Sequence, residues 1–216
     1  GQAVESGRAL NRILKQAEVG DQVALTINAR SPQGPYTVKL VVFSQADQFT
    51  YFVLPYLVGV VYLIAAIWIF LTRRQDPAAR AFSAFSASIA IATATLFDLS
   101  TTFTFSWLWI SAVALAGASL LELVLSYPAT IRLFRERPIV RSLPYAAAFI
   151  LAGVSWGWMY NLNAPTVYMS AWRAAFAFTG LCALAALVRL IWRSQRTTSP
   201  VEREQVRLVI LGGVLS

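Results

Sequence analysis

The sequence predicts a mainly α-helical, polytopic transmembrane bundle that follows a small α+β module at the N-terminus. Of the 216 residues, 57% are hydrophobic and only 13% are charged, whereas soluble domains carry about 25% charged residues. From Tyr51 onward the apolar residues fall in long runs, and a helix needs about 20 such residues to cross roughly 30 Å of hydrocarbon. Two regions are therefore expected, residues 1–45 and residues 46–216.

The N-terminal region predicts one helix and two strands. Leu10, Ile13 and Leu14 recur at helical spacing ahead of Gly20, which indicates an amphipathic helix. The segments DQVALTI and YTVKLVV alternate apolar and polar residues and predict strands, and NARSPQGP between them predicts a loop. Because about 45 residues bury too little surface for a stable core, further strands are expected before Gly1, in a longer protein.

Five complete transmembrane helices and part of a sixth are predicted after this region. The expected spans are 51–71, 80–97, 106–127, 143–160 and 171–192, followed by a truncated segment at 206–216. The second span is rich in Ala, Ser and Thr. Such small residues let neighbouring helices approach closely, so this helix is expected inside the bundle and away from lipid.

Basic residues alternate between the connectors. The first, third and fifth connectors are rich in Arg, whereas DLSTTFTF and NLNAPTVYMS carry no basic residue. Positively charged loops stay in the cytoplasm, so residues 1–50 are predicted to be extracytoplasmic and the Arg-rich connectors cytoplasmic. The net charge of +8 follows from this asymmetry, and no nucleic-acid partner is expected.

The sequence contains no His. A zinc-dependent protease site, a haem site with His ligands and a Ser-His-Asp triad all need an imidazole, as does a phosphorylated His. No catalytic, metal or cofactor site is therefore expected in these residues. The single Cys182 lies in an apolar run and is interpreted as a small packing residue.

Two pairs of charged residues are candidate sites. Glu122 lies in the third span, where an unpaired charge costs about 2–3 kcal/mol, and Arg189 in the fifth span lies at a comparable depth. They form a candidate intramembrane charge pair, and the alternative is a neutral or snorkelling Glu122. Asp98 and Arg173 form a candidate polar pair near the outer face.

Aromatic residues crowd the predicted outer ends of the helices. Membrane-interface belts produce this pattern, so a belt is favoured over a pocket for a hydrophobic ligand. The residues are Trp107, Trp109, Trp156, Trp158 and Trp172.

The N-terminal segments resemble the C-terminal half of a bacterial PDZ domain. The resemblance is carried by GQAV at the start of the helix, by GDQVALTI and by the closing strand YTVKLVV. It implies that a peptide or a protein terminus is captured by strand addition. The alternative is a module that only packs against the helices or against another subunit.

Further along, SPVEREQVR and LSYPATIRLFRERP are similar to segments of multi-pass sensor histidine kinases of Chloroflexi-like bacteria. Those proteins place a PDZ-like module outside, then a helix bundle, then a cytoplasmic kinase region. The resemblance implies the sensory and membrane-anchoring part of such a protein, in contact with membrane lipid and with a homodimer as one arrangement. A transporter, a partner-binding scaffold and a PDZ-gated membrane protease remain as alternatives.

Overall fold

The computed structural model describes residues 44–99, 103–127, 138–159 and 167–196 as nearly continuous segments. It also describes residues 13–14, 16–18, 20–25, 36–39, 41, 101, 134 and 136. The described part is mostly helical. Its helices are α1 (Gln45–Arg73), α2 (Pro77–Ala94), α3 (Leu96–Leu99), α4 (Ser106–Ser126), α5 (Leu143–Met159) and α6 (Val167–Arg196), with a 3₁₀ turn at Pro138–Ser142 before α5.

Two short strands form the only sheet among the described residues. β1 (Gln22–Leu25) pairs antiparallel with β2 (Tyr36–Lys39), and Val23 lies opposite Val38. Both strands fall in the segments that alternation predicted. Most of the amphipathic helix expected near Leu10 lies outside the described residues. Because a two-stranded hairpin alone does not define a PDZ fold, the PDZ-like module stays a prediction.

Four described helices are long and apolar enough to cross a membrane. They are Gln45–Arg73, Ser106–Ser126, Ile139–Met159 and Met169–Arg193, and they correspond to the predicted spans 51–71, 106–127, 143–160 and 171–192. The prediction of five complete spans is not supported. The span 80–97 falls on α2 and α3, and α2 is less apolar because it contains Arg80 and several Ser and Thr residues. The segment 206–216 lies outside the described part of the chain.

Helices α1 and α2 are antiparallel along their length. The ring of Phe52, near the start of α1, lies 5.2 Å from that of Phe97 in α3, just beyond the end of α2, and the ring of Tyr62 lies 6.5 Å from that of Phe85 in α2. Contacts nearer the end of α1 are therefore made with residues nearer the start of α2, as antiparallel helices require. Helix α2 also packs against α4, and its buried face consists of small residues, as the sequence predicted: Ala78, Ala79, Ala81, Ser83, Ser86, Ser88 and Ala90.

Helix α4 is the centre of the bundle, because α2, α5 and α6 all pack against it. A glycine brings α6 close. A Cβ atom on Gly117 would lie 2.9 Å from Thr179 Cα, and the Thr179 hydroxyl donates a 2.9 Å hydrogen bond to the Val113 carbonyl. Only a residue without a side chain allows the two backbones to approach this closely.

The outward faces of α1, α5 and α6 expose large apolar side chains. A soluble protein rarely exposes apolar area that is this extensive, and together with the four long apolar helices this is the surface of a membrane protein. The most exposed side chains are Val61, Ile64, Trp68, Leu71, Phe149, Ile150 and Leu181.

Candidate functional site

A buried carboxylate lies near the end of α4. Glu122 is only 6% exposed and sits one turn before the helix ends at Ser126. An isolated carboxylate in an apolar environment is strongly disfavoured, so it needs partners that offset its lost hydration. We call this side of the molecule, where α1 and α4 end and α2 and α5 begin, the Arg-rich end.

Arg141 supplies the first partner. It lies in the 3₁₀ turn Pro138–Ser142, and its Nε donates a hydrogen bond within an ion pair to Glu122 Oε1. Its Nη2 donates a second hydrogen bond, of 3.2 Å, to the carbonyl oxygen of Pro77, the first residue of α2. One guanidinium therefore connects the end of α4 to the beginning of α2.

Tyr145 supplies the second partner. It lies four residues after Arg141, in the first turn of α5, and its hydroxyl donates a hydrogen bond to Glu122 Oε2. Both carboxylate oxygens thus accept hydrogen bonds, one of them from a cation, and charge-assisted bonds of this kind are stronger than neutral ones. We call Glu122, Arg141 and Tyr145 the polar cluster.

The polar cluster is a structural connection between helix ends. It joins α4, α5 and the beginning of α2 through a single carboxylate. The part of the chain that the structure describes holds no group of three His, Cys, Asp or Glu side chains that could bind a metal ion. The polar cluster can stabilise one packing of three helices, and breaking its ion pair would allow the helices to adopt another.

The predicted pair of Glu122 and Arg189 is not formed. The Arg189 guanidinium instead lies 4.9 Å from the centre of the Trp192 ring, in a cation–π contact. Helix α6 packs on the Val124 side of α4, where Val124 contacts Ala186. Because Val124 is two residues from Glu122, the two side chains leave α4 in nearly opposite directions, and Glu122 meets α5.

The second predicted pair is not formed either. The Asp98 carboxylate accepts a 2.7 Å hydrogen bond from the backbone N–H of Phe105, and the Asp98 carbonyl accepts from the N–H groups of Thr101 and Phe103. No ion pair joins Asp98 to Arg173 within the described residues. Asp98 therefore shapes the turn between α3 and α4, where Phe103 adopts a positive φ of 57°.

The tryptophans opposite the Arg-rich end divide into two groups. Trp107, Trp156 and Trp158 are exposed, as a membrane-interface belt requires. Trp109 is instead buried with Ile110 and Met159 in the core, and Trp172 is partly buried against it. The belt was predicted for all of them, and hydropathy alone could not separate those that face the helices from those that face outward.

Sequence reasoning missed Arg141 and Tyr145. The signal was present, because Arg141 lies two residues before the predicted span 143–160 and Tyr145 lies in it, and residues four apart share one face if the helix is extended back to Arg141. Assigning Arg141 to a cytoplasmic connector removed it from the search for partners of Glu122.

No known protein family, curated protein sequence or solved structure matches the chain. The resemblance to PDZ domains and sensor kinases therefore remains a prediction, and the argument about function rests on the helices and the polar cluster.

Proposed function

We propose that the chain is the membrane region of a bacterial inner-membrane signalling protein, a sensor histidine kinase whose catalytic domain lies beyond these residues. In this proposal an extracytoplasmic PDZ-like module at residues 1–45 binds a peptide or a protein partner. The helix bundle carries the resulting change to the Arg-rich end in the cytoplasm. The observation that supports transmission is the polar cluster, which joins three helix ends through one buried carboxylate.

A buried ion pair suits a switch better than it suits simple stabilisation. Replacing such a pair by apolar residues often leaves stability unchanged or raises it, whereas breaking it is costly, so the pair favours one packing over others. Transmission requires two packings whose balance an outside ligand shifts. In one packing Arg141 binds both Glu122 and the Pro77 carbonyl; in the other this connection is open and α2 moves relative to α4.

The proposal includes five membrane crossings, with α2 as the sheltered one. Helices α1 and α4 are each antiparallel to α2, because Phe52 meets Phe97, Arg141 joins the end of α4 to Pro77, and Asp98 binds the N–H of Phe105. Helices α1 and α4 therefore run in the same direction. If both cross the membrane, the chain must return between them, and α2 is the helix available for the return.

Part of the polar content of α2 is compatible with such a crossing. Hydroxyl groups inside a membrane need hydrogen-bond partners. Ser88 and Thr93, and Thr95 at the C-cap, donate to carbonyl oxygens of the preceding turn at 2.8–2.9 Å, whereas the buried hydroxyls of Ser83 and Ser86 have no partner among the described residues. Arg80 lies in the first turn, next to the aqueous side. The helix lies between α1 and α4, so its lower hydropathy meets protein more than lipid.

Spin-label distances test transmission across the bundle. Labels would be attached at Arg74→Cys and Ile139→Cys, two exposed positions on either side of the polar cluster, in the full-length protein with Cys182→Ala, reconstituted in lipid nanodiscs. We expect Glu122→Gln to shift the distance distribution and deletion of residues 1–43 to shift it as well. A shift with Glu122→Gln alone would mean that the polar cluster is not coupled to the N-terminal module, and the signalling proposal would be wrong.

A transporter is the second candidate, because a buried carboxylate in a membrane-length helix is a common feature of ion and substrate pathways. Both oxygens of Glu122 are already bound by protein groups, which favours the signalling proposal. The same variant separates the two. A transporter should lose substrate accumulation with Glu122→Gln while deletion of residues 1–43 leaves the spin-label distances unchanged.

A further inference from the structure

An apolar cavity of about 630 Å³ lies at the Arg-rich end, between α1, α2, α4 and α6. It is on the opposite side of α4 from the polar cluster, since Leu123 and Val124 line it while Glu122 does not. Its walls are almost entirely hydrocarbon, formed by residues such as Ile69, Ala79, Phe82, Leu123, Ala183 and Leu187. Leu187 remains 43% exposed, so the cavity opens sideways between α6 and its neighbours.

The mouth of the cavity carries one cation and one anion. Arg73 and Asp76 both line it. The Asp76 carboxylate is engaged at the start of α2, where it accepts a 2.9 Å hydrogen bond from the N–H of Ala78. The Arg73 side chain makes no ion pair or hydrogen bond with any described residue. An apolar slot thus ends at a guanidinium that no described residue binds, at the last residue of a membrane-length helix.

We propose that this cavity binds an acyl chain of an anionic phospholipid, with the phosphate of the lipid against Arg73. The apolar walls match the chain, and the cation matches the headgroup at the depth where headgroups lie. Anionic lipids are concentrated in the cytoplasmic leaflet, to which basic residues bind, and the Arg-rich end is the side predicted to face it. The proposal needs the bundle to be in a membrane but does not depend on a signalling role.

Native mass spectrometry of the full-length protein tests the proposal. Delipidated protein would be mixed with equal amounts of phosphatidylglycerol and phosphatidylcholine that carry the same acyl chains. We expect one tightly retained lipid and a preference of about fivefold for phosphatidylglycerol, the effect typical of one Arg at an anionic membrane surface. Arg73→Gln should abolish the preference, whereas the neighbouring exposed Arg74→Gln, which does not line the cavity, should leave it unchanged.

A second variant fills the cavity. Ala183→Phe should prevent retention of either lipid, and the matched change Ala185→Phe, at an exposed position outside the cavity, should not. Because Ala183→Phe can also disturb packing, Arg73→Gln serves as the independent test, since Arg73 is exposed. Loss of retention in the Ala185 variant, or no retention by the unaltered protein, would overturn the proposal.

The identity of the occupant can be read directly with a photo-crosslinking benzoylphenylalanine in place of Leu187. The proposal predicts a mass increase equal to one phospholipid after irradiation of the protein in detergent with its one retained lipid, where no bulk bilayer is present, and no such product at the exposed Leu184, which does not line the cavity. Crosslinks to a segment of the same chain would show that protein fills the cavity. A second copy of the chain as the crosslinked product would show a dimer interface, and either result would contradict lipid binding.

Discussion

Replacing Arg141 by Met measures how strongly the polar cluster holds the helices together. The change removes the cation that binds Glu122 Oε1 and the donor that reaches the Pro77 carbonyl, while it keeps a long flexible side chain. Removing one partner of a fully buried ion pair costs about 3–5 kcal/mol. Because the Arg141 side chain is 23% exposed, water already screens part of the interaction, and we expect a loss of about 2–3 kcal/mol.

A double-mutant cycle separates the ion pair from other effects of the substitution. Glu122→Gln alone keeps a hydrogen-bonding group near Tyr145 and leaves Arg141 partly able to reach water, so we expect a smaller loss, about 1–2 kcal/mol. The double variant removes both charges, and its loss should fall short of the sum of the two single losses by about 1–2 kcal/mol.

The free energy of unfolding would be measured by titrating the protein in mixed micelles with a denaturing detergent and following tryptophan fluorescence. Arg74→Met is the matched control, because Arg74 is exposed and forms no described ion pair, and it should change stability by less than about 0.5 kcal/mol. Additive losses within that same margin would refute the claim that Glu122 and Arg141 act as a pair.

Three further changes test the packing of the bundle. Gly117→Ala should destabilise the protein by about 1–3 kcal/mol because its new methyl group meets the backbone of α6; the same change at Gly153, which has open space, should be neutral or stabilise by up to about 1 kcal/mol. Trp109→Ala should cost about 3–5 kcal/mol as a core truncation, whereas Trp158→Ala, at a side chain 44% exposed, should lower the melting temperature far less. Asp76→Ala removes the N-cap of α2 and should lower the free energy of unfolding by about 1 kcal/mol, with faster amide exchange confined to the first turn of that helix. For the glycine and tryptophan pairs, equal effects of the two substitutions in a pair would contradict the packing described here.

Hydropathy located the long helices well because lipid imposes a minimum apolar length. It placed the start of α1 at residue 51, whereas the helix begins at Gln45. Most of the added residues are polar, and a cap rather than hydropathy explains them, since the Ser44 hydroxyl accepts a 3.1 Å hydrogen bond from the N–H of Asp47. A search for Ser with an acidic residue three positions later would have moved the boundary.

The second predicted span illustrates a different limit. An average of hydropathy over a window cannot distinguish a helix that faces lipid from one that packs between other helices. Helix α2 buries seven small residues and needs less apolar character on that account. Its Ala, Ser and Thr residues predicted the location inside the bundle correctly. The same residues lower the hydropathy of α2, so it is not among the helices that are apolar enough to cross a membrane.

The partner of Glu122 could not be chosen from depth alone. A partner of Glu122 must lie at a similar depth along the membrane normal, and both Arg141 and Arg189 do. The choice depends on which neighbour packs on which face of α4, and that follows from tertiary contacts: α5 lies on the Glu122 side and α6 on the Val124 side. A single sequence contains no measure of these contacts.

The most direct test of the central claim is the side of the membrane on which each end of α2 lies. Single cysteines at Arg74→Cys and Thr101→Cys, both exposed positions on opposite ends of the bundle, would be introduced with Cys182→Ala and treated with a membrane-impermeant maleimide. The proposed topology predicts that position 101 reacts in intact spheroplasts, and that position 74 reacts only in inside-out vesicles. Reaction of both positions from the same side would show that α2 does not cross, and would contradict a bundle that transmits a signal from residues 1–45 to the polar cluster.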